Sequence, residues 1–197
     1  MMLQDKLQSV NIILGSKSPR RKELLKSMDI DFVVEVRETD ESYDIQLDPK
    51  TIVQYIADTK LSAFNENTYW DKLIICADTV VVDPKGLVIG KPHDLEEAKR
   101  VLIDLSDSEH QVFTAVSIAY RGTRRSFVEE TKVKFCPLLK EEIDYYVDKF
   151  RPLDKAGSYG IQEWIGRIAI EKIDGSYENV VGLPTARLYK ELKEIFF

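Results

Sequence analysis

The sequence predicts a mixed α/β (α+β) fold, in which amphipathic helices alternate with β-strands. Apolar segments of strand length recur along the 197 residues, and segments with helical spacing of apolar residues separate them. Turn residues at Pro84-Lys85-Gly86 and Arg121-Gly122-Thr123 join neighbouring strands, which indicates at least two antiparallel hairpins. These observations favour an α/β or α+β protein over a doubly wound parallel sheet.

The first half of the chain alternates strand and helix. Ser18 is a good helix N-cap, and Pro19 suits the first helical position because the backbone N–H that it lacks would have no partner there. In the segment from Leu73 to Asp83, eight of the first ten residues are apolar, which indicates a strand covered on both faces. The predicted elements are strands at 11–14, 31–36 and 73–83, helices that begin at Pro19 and at Asp48 or Pro49, and an acidic loop at 37–49.

The second half continues with hairpins and helices and contains one polar loop. Asp94 is placed to cap a helix whose apolar face includes Leu95, Ala98 and Leu102. Partial alternation of polar and apolar residues after Ser126 predicts a strand with one face in solvent. The predicted elements are strands at 87–89, 111–120, 126–135, 165–173 and 177–181, helices at 95–105, 138–150 and 185–195, and a glycine-rich loop at 152–162.

Composition and charge disfavour several classes of function. The formal net charge is −6, which argues against general binding to nucleic acid or to an anionic membrane. The N-terminal residues lack the pattern of a signal peptide, and no apolar run reaches membrane-spanning length. Cys76 and Cys136 lack metal-ligand spacing, so we expect two reduced thiols, no disulfide and a cytoplasmic location.

The two histidines, His93 and His110, have no partner at useful spacing in the sequence. A histidine-rich zinc site or a Ser-His-Asp triad is therefore disfavoured, and we expect carboxylates to supply acid–base chemistry. Any metal ion should then be a hard cation that is bound by oxygen.

The segment from Leu14 to Leu25, LGSKSPRRKELL, is the main candidate for ligand binding. It places Ser16, Ser18, Arg20 and Arg21 at the junction between a strand and a helix start. The backbone N–H groups of a first helical turn, together with hydroxyls and guanidinium groups, favour binding of an anion such as phosphate. Local chemistry supports equally an ordinary strand–turn–helix with its arginines in solvent.

Asp78 interrupts an apolar strand and is the main candidate for catalysis. Burying a carboxylate is costly unless it meets a cation or a metal or stays protonated, so function is favoured over a strand end that emerges into a turn. Lys60 lies on the preceding helix, where its local surroundings favour a solvated lysine. The loop at 152–162 contains Lys155 and Gln162, and such loops often carry function, although plain glycine-rich connectors are common.

Four blocks of the sequence, taken together, resemble the Maf family of nucleotide pyrophosphatases. They occur in the family's order from about Ile12 to Glu194, as SKSPRRKELL, ADTVV followed by GKP, LDKAGSYGIQ, and IDGSYENVVGLP. Two departures are visible. Gly15 stands where an alanine is usual before the first serine, and the loop around Asp40 and Glu41 is only loosely similar.

The resemblance implies a Maf/ITPase-like fold, with an elongated mixed β-sheet flanked by helices and two lobes around a central cleft, formed by residues 1–197 as a single domain. It implies hydrolysis of a nucleoside triphosphate to the monophosphate and pyrophosphate with a divalent cation, Mg²⁺ or Mn²⁺. This activity would remove unusual or surplus nucleotides, and the family is also linked to septum formation and cell-division arrest. Neither nucleic acid nor a membrane is expected as a partner, and the sequence allows a homodimer.

The matched positions also imply roles for individual residues. Asp78 matches the family's proposed proton acceptor. Three positions mark the family branch that acts on dTTP and UTP, and the residues at these positions match Arg20, Thr79 and Gln162. A sister branch that prefers 7-methyl-GTP has different residues at these positions. In the implied scheme the phosphates are bound by Ser16, Ser18, Arg20, Arg21, Lys60 and Lys91, the cation by Asp78 and Glu41, and the base by Thr79 and Gln162.

Other functions are compatible with parts of this pattern. A nucleotide-binding inhibitor of septum formation with little turnover would need the basic segment around Arg20 but not Asp78. Hydrolysis of 7-methyl-GTP or of inosine-type triphosphates would use the same broad fold with another base. Release of pyrophosphate from a panel of nucleotides separates these functions.

Overall fold

The computed structural model describes residues 2–197 and contains a seven-stranded mixed sheet. Its strands are β1 (Asn11–Leu14), β2 (Val33–Val34), β3 (Lys72–Val82), β4 (Val88–Ile89), β5 (Glu109–Tyr120), β6 (Thr123–Phe135) and β7 (Ile170–Asp174). The strand order is β2-β1-β3-β5-β6-β7, and β4 pairs with β3. β1 is parallel to β2 and β3, whereas the β3–β4 and β6–β7 pairs are antiparallel. The predicted mixed class and the predicted hairpin between β3 and β4 are confirmed.

Helices alternate with these strands. They are α1 (Leu3–Leu7), α2 (Pro19–Lys26), α3 (Pro49–Ser62), α4 (Leu95–Leu105), α5 (Lys140–Phe150), α6 (Trp164–Ile168), α7 (Tyr177–Val181) and α8 (Thr185–Phe196), with short 3₁₀ turns at Asn67–Tyr69 and Ala156–Ser158. The Asp48 carboxylate accepts the N–H groups of Lys50 and Thr51, and the Asp94 carboxylate accepts that of Glu97. These side-chain caps explain why α3 and α4 begin where the sequence predicts.

The chain divides into two compact units, each with its own apolar core. Unit 1 consists of residues 2–78, 114–129 and 182–197. In its main core, Leu14 of β1 and Leu73 of β3 lie in one cluster with Leu188 of α8, and all three side chains are fully buried. Removing such aliphatic side chains from water is the dominant favourable contribution to folding. This core supports the ends of β1 and β3, where several predicted site residues lie.

Unit 2 consists of residues 79–113 and 130–181. Its core contains the fully buried side chains of Leu102 from α4, Phe135 from β6 and Tyr146 from α5. The α4 helix contacts both α5 and the 3₁₀ turn at Ala156–Ser158, so the predicted glycine-rich loop is packed against helices. The sequence predicts that residues 1–197 form a single domain. The division into two compact units does not decide this, so the single domain stays a prediction.

Of two strands predicted in the last third of the chain, one is confirmed only in its second half and the other is wrong. The sequence predicts one strand over 165–173, but the structure has α6 followed by the shorter β7. It also predicts a strand over 177–181, which forms α7. The Oγ of Ser176 accepts the N–H of Asn179 at 3.2 Å, and this local cap supports a helical turn although Tyr and Val in this segment favour a strand.

Two smaller differences concern the N-terminal part of the chain. The strand predicted over 31–36 is limited to β2, which pairs with Ile13 and Leu14 of β1. The α1 helix is absent from the sequence-based prediction. Its residues Leu3 and Leu7 lie four positions apart, on one face of the helix, and both are buried in the core of unit 1.

Candidate functional site

The turn between β1 and α2 is the segment that the sequence predicts as an anion site. The Gly15 N–H continues the pairing of β1 with β3 by donating to the Ile75 carbonyl at 2.9 Å. A Cβ at Gly15 would lie 2.5 Å from Cys76 Sγ, so only glycine fits beside this cysteine without a shift. The turn therefore starts against the segment of β3 that leads to Asp78.

Both serines of this turn bind neighbouring donors. Ser18 Oγ accepts the Arg21 N–H at 3.4 Å, which confirms Ser18 as the N-cap of α2. The buried Ser16 accepts the Ser18 N–H at 3.2 Å and Arg21 Nη1 at 3.3 Å with its Oγ. A hydroxyl that accepts a hydrogen bond still has its own hydrogen, so each serine can donate to a bound anion.

The two neighbouring arginines lie in the first turn of α2. Arg21 is partly buried, and its Nε and Nη1 donate to the carbonyls of Gly182 and Ala77, both at 2.8 Å. Burial lowers the pKa of the Arg21 guanidinium, whereas the nearby charge of Asp78 raises it. Arg21 therefore connects α2 to β3 and to the segment before α8, and Arg20 occupies the first turn of α2.

Lys60 of α3 and Asp78 of β3 form a partly buried ion pair. The Lys60 Nζ lies 2.7 Å from Asp78 Oδ1 and 3.1 Å from Glu41 Oε2 in the acidic loop. The Lys60 and Asp78 side chains are 17% and 16% exposed, so the alternative of a solvated Lys60 is wrong. Asp78 meets a cation, as the cost of burying its charge requires. Three predicted site residues are thus brought together within unit 1.

Asp78 and Glu41 are the residues predicted to bind a divalent cation. Their carboxylate oxygens both contact one ammonium nitrogen, so two oxygen donors converge on one small region. Such donors suit a hard cation, which takes its other ligands from phosphate or water. Over residues 2–197, no three or more His, Cys, Asp or Glu side chains are grouped as a metal site. These two carboxylates are oxygen donors of the type that a hard cation takes, and they supply only part of the ligand set of such a cation.

Cys76 lies two residues before Asp78 in β3, and its thiol is free and buried. Desolvation raises the pKa of this thiol to about 12, although the charges of Lys60 and Arg21 act in the opposite direction. The thiol is therefore protonated at neutral pH and is a packing group rather than a nucleophile. Cys136 is also a free thiol.

The three remaining predicted residues, Thr79, Lys91 and Gln162, belong to unit 2. Thr79 is a partly buried residue of β3. Lys91 is exposed and follows Gly90, whose carbonyl accepts the Gly157 N–H at 3.3 Å. The Oε1 of Gln162 is buried and has no hydrogen-bond partner among the residues described. Because an unpaired buried amide oxygen is costly, Gln162 is suited to accept a hydrogen bond from a ligand.

Sequence reasoning does not find the main-chain partners of Arg21 or the unusual backbone of Ser158. The carbonyls of Ala77 and Gly182 carry no signal of residue type, but both lie inside blocks that support the family resemblance. Ser158 has φ of 60°, and its buried Oγ has no hydrogen-bond partner within the described part of the chain. Its position between two glycines in AGSYG is the signal that could have pointed to it.

A surface groove of about 190 Å³ lies in unit 1, outside this constellation. Its walls include Phe64, Trp70, Tyr120, Arg121 and Arg124. None of the predicted site residues lines the groove, so it is not the predicted substrate site.

The sequence is similar to one family and to several known proteins. The profile of the family described as "Maf-like protein" matches residues 11–195. The dTTP/UTP pyrophosphatase of Porphyromonas gingivalis is 48% identical over 193 residues, and the alignment covers 96% of each chain. The protein of that name from Phocaeicola vulgatus is also 48% identical over 193 residues, which covers 97% of this chain and 99% of the other.

Among solved structures, the Ham1 protein of Staphylococcus aureus is similar with a TM-score of 0.51 at 15% identity. The superposition covers 92% of this chain and 99% of the Ham1 chain. This likeness concerns the fold alone, and it agrees with the predicted mixed sheet flanked by helices.

Proposed function

The chain belongs to the Maf-like family, and we propose that it hydrolyses dTTP and UTP to the nucleoside monophosphate and pyrophosphate. Relatives that are 48% and 43% identical over nearly the whole chain are named dTTP/UTP pyrophosphatases. The reaction breaks the acid anhydride bond between the α- and β-phosphates, with water as the attacking group. The corresponding cellular role is removal of surplus or modified pyrimidine nucleotides, and a link to cell-division arrest stays a prediction.

The contact between Asp78 and Lys60 is the observation that carries this proposal. Lys60 Nζ contacts Oδ1 of the carboxylate, and we assign Oδ2 to accept a proton from the attacking water. Lys60 orients the Asp78 carboxylate, and the positive charge of Lys60 lies beside this carboxylate, which activates the water. In this scheme Asp78 is the catalytic residue, because it touches the reacting water.

The phosphates are assigned to the start of α2 and to the side chains of two lysines. Hydroxyl donors and the first turn of an eight-residue helix favour an anion, since the N-terminal end of a helix is positive. The Arg21 guanidinium already donates to two main-chain carbonyls, so we assign it a positioning role as well as a contribution of charge. The assigned phosphate ligands are Ser16, Ser18, Arg20, Lys60 and Lys91.

The divalent cation, Mg²⁺ or Mn²⁺, is assigned to Asp78 and Glu41 together with phosphate oxygens. When bound, such a cation neutralises negative charge on the phosphates and polarises the oxygen that it contacts. Lys60 contacts both carboxylates, so it brings the two oxygen donors close to each other.

Base selectivity is assigned to Gln162, with Thr79 and Arg20 as the other branch-marking positions. Thymine and uracil present an N3–H donor between two carbonyl oxygens, whereas N3 of cytosine is an acceptor. The buried Oε1 of Gln162 has no hydrogen-bond partner over residues 2–197 and suits this donor, while the amide N–H groups suit a carbonyl of the base. This chemistry supports dTTP and UTP over CTP.

None of the helices described over residues 2–197 is both long enough and apolar enough to cross a bilayer. We infer a cytoplasmic location, which the two free cysteines support because a reducing compartment keeps thiols unpaired. Because the net charge is −6, we expect no nucleic-acid partner. A homodimer stays a prediction.

The proposal is tested by measuring pyrophosphate release from a panel of nucleotides, each with and without Mg²⁺ or Mn²⁺. We expect dTTP and UTP to give the highest kcat/KM, CTP, GTP and 7-methyl-GTP to give lower values, and the reaction to require the cation. Asp78→Asn protein, purified in the same way, controls for a contaminating phosphatase. Tight binding of dTTP without release would instead indicate a regulator with little turnover, and preference for 7-methyl-GTP would overturn the branch assignment.

A further inference from the structure

An ionic network around the buried Lys155 lies next to Gln162 in unit 2. The Lys155 side chain is 9% exposed, and its Nζ lies 2.7 Å from Asp154 Oδ1 and 3.1 Å from Glu163 Oε1. Glu163 directly follows Gln162 in the chain. Because a buried charge without a partner is strongly unfavourable, the ion pair with Lys155 restrains the position of Glu163.

The hydroxyl of Tyr146 extends this network from α5. It donates to Glu163 Oε2 and accepts the Gly160 N–H at 3.0 Å. Burial raises the pKa of the Tyr146 hydroxyl, and its hydrogen bond to Glu163 acts in the same direction, so the hydroxyl stays a donor at neutral pH. Glu163 thus contacts Lys155 with one oxygen and Tyr146 with the other. We call Lys155, Tyr146 and Glu163 the lysine network.

Two glycines allow close packing on both sides of Gln162. A Cβ at Gly160 would lie 2.8 Å from the Glu163 carboxyl carbon. A Cβ at Gly166 would lie 1.8 Å from the Ile161 carbonyl oxygen, so the turn of α6 lies directly against that carbonyl. The backbone on either side of Gln162 is therefore restrained by hydrogen bonds, an ion pair and van der Waals contact.

We propose that the lysine network positions the Gln162 amide for recognition of the base. This inference rests on the proposed function. The Oε1 of Gln162 is buried without a hydrogen-bond partner among the residues described, so the placement of this oxygen depends on the backbone that carries it. The lysine network holds that backbone and thereby determines which base is accepted. The rate of anhydride cleavage is assigned to Asp78, which is not a member of the network.

Tyr146→Phe tests the inference, because it removes the hydroxyl and keeps the ring. The matched control is Tyr145→Phe on the same helix, since the Tyr145 hydroxyl accepts a hydrogen bond from Lys149 Nζ at 2.7 Å and the residue is 46% exposed. Calorimetry with α,β-imido analogues of dTTP and dCTP measures base selectivity without turnover. Steady-state kinetics with dTTP measures kcat and KM separately.

Tyr146→Phe should reduce the preference for the thymine analogue about tenfold, the effect of roughly one hydrogen bond. It should raise KM for dTTP and leave kcat within about twofold of the wild-type value, as expected for lost ground-state binding. Tyr145→Phe should leave both quantities unchanged. Equal weakening of both analogues by Tyr146→Phe would overturn the inference, because it would show a general structural effect.

A double-mutant comparison separates positioning from general stability. If the network acts through Gln162, Tyr146→Phe should cause no further loss of selectivity in a Gln162→Ala background. Additive losses would overturn the inference. Glu163→Gln is a second variant for the case in which Tyr146→Phe does not fold. It keeps an acceptor for the Tyr146 hydroxyl and removes the charge that pairs with Lys155. It should reduce the preference for the thymine analogue, as Tyr146→Phe does.

The wild-type measurements distinguish failure of the inference from failure of the proposed function. Protein that prefers the thymine analogue but releases no pyrophosphate overturns the hydrolytic function and supports the base-recognition step. Protein that hydrolyses dTTP but binds both analogues equally overturns the positioning inference and leaves the hydrolytic function supported.

Discussion

Lys60 Nζ lies 2.7 Å from Asp78 Oδ1, and the same nitrogen lies 3.1 Å from Glu41 Oε2. One ammonium group therefore neutralises part of the repulsion between two carboxylates. At 17% and 16% exposure the Lys60 and Asp78 side chains are less screened by water than a surface pair. This ion pair gives the Asp78 carboxylate a defined orientation within unit 1.

Asp78→Asn should retain the fold and lower the rate of pyrophosphate release by about 10²- to 10⁴-fold, the usual contribution of a positioned general base. The amide keeps the shape of the carboxylate but accepts a proton poorly. Pyrophosphate release from dTTP and the thermal melting curve are measured on the same preparation. Asp71→Asn, at an exposed position, is the control and should behave as wild type. Near-normal turnover of Asp78→Asn would remove Asp78 from the mechanism.

Arg20→Ala and Arg21→Ala should have different effects. Removing Arg21 takes a donor from the carbonyls of Ala77 and Gly182, so the free energy of unfolding should fall by about 1–3 kcal/mol. Removing Arg20 should weaken nucleotide binding, because Arg20 is assigned to the phosphates. Urea denaturation measures stability, and calorimetry with the α,β-imido analogue of dTTP measures affinity. Unchanged affinity in Arg20→Ala would contradict its role as a phosphate ligand.

Gly15→Ala should destabilise the protein by about 1–3 kcal/mol, as overpacking of a tight core does. The new Cβ would lie 2.5 Å from Cys76 Sγ. Cys76→Ala removes that sulfur, so the double variant Gly15→Ala/Cys76→Ala should recover most of the stability lost by the first substitution. Urea denaturation of the wild type, both single variants and the double variant gives the coupling energy. Independent, additive effects would show that the contact with Cys76 does not explain the glycine.

Acid should destabilise the protein through His110 of unit 2. This histidine is 1% exposed, its Nε2 lies 2.8 Å from the Tyr159 hydroxyl, and desolvation lowers its pKa from 6.5 to about 4. The unfolded chain therefore binds the proton at a higher pH than the folded chain does. The stabilisation is fully present above about pH 6.5 and is lost as the pH falls towards 4, by roughly 3 kcal/mol for a shift of this size.

Urea denaturation between pH 4 and pH 7 measures this dependence. His110→Gln keeps a polar group near Tyr159 but does not titrate, so its stability should depend less on pH over that interval. His93→Gln, at an exposed position, is the control and should follow the wild-type dependence. Equal slopes for the wild type and His110→Gln would show that another group causes the acid sensitivity.

Local chemistry explains which elements the sequence predicts correctly. The caps at Ser18, Asp48 and Asp94 depend on donors only two or three residues away, so the starts of α2, α3 and α4 can be read from neighbouring residues. The segment at 165–173 is different. There Gly166 lies so close to the Ile161 carbonyl that a Cβ would not fit, and the residues of this segment begin as α6, a packing arrangement that the apolar pattern does not indicate.

The sequence by itself determined the mixed fold class and the starts of α2, α3 and α4, and four blocks in family order pointed to the candidate site residues. Only the tertiary structure decided that Lys60 contacts Asp78 and Glu41, and that Arg21 donates to the carbonyls of Ala77 and Gly182. The physical reason is that propensity and capping act over a few residues. An ion pair between α3 and β3, or a bond to a main-chain carbonyl, depends on how separate elements pack, and main-chain acceptors leave no mark on residue type.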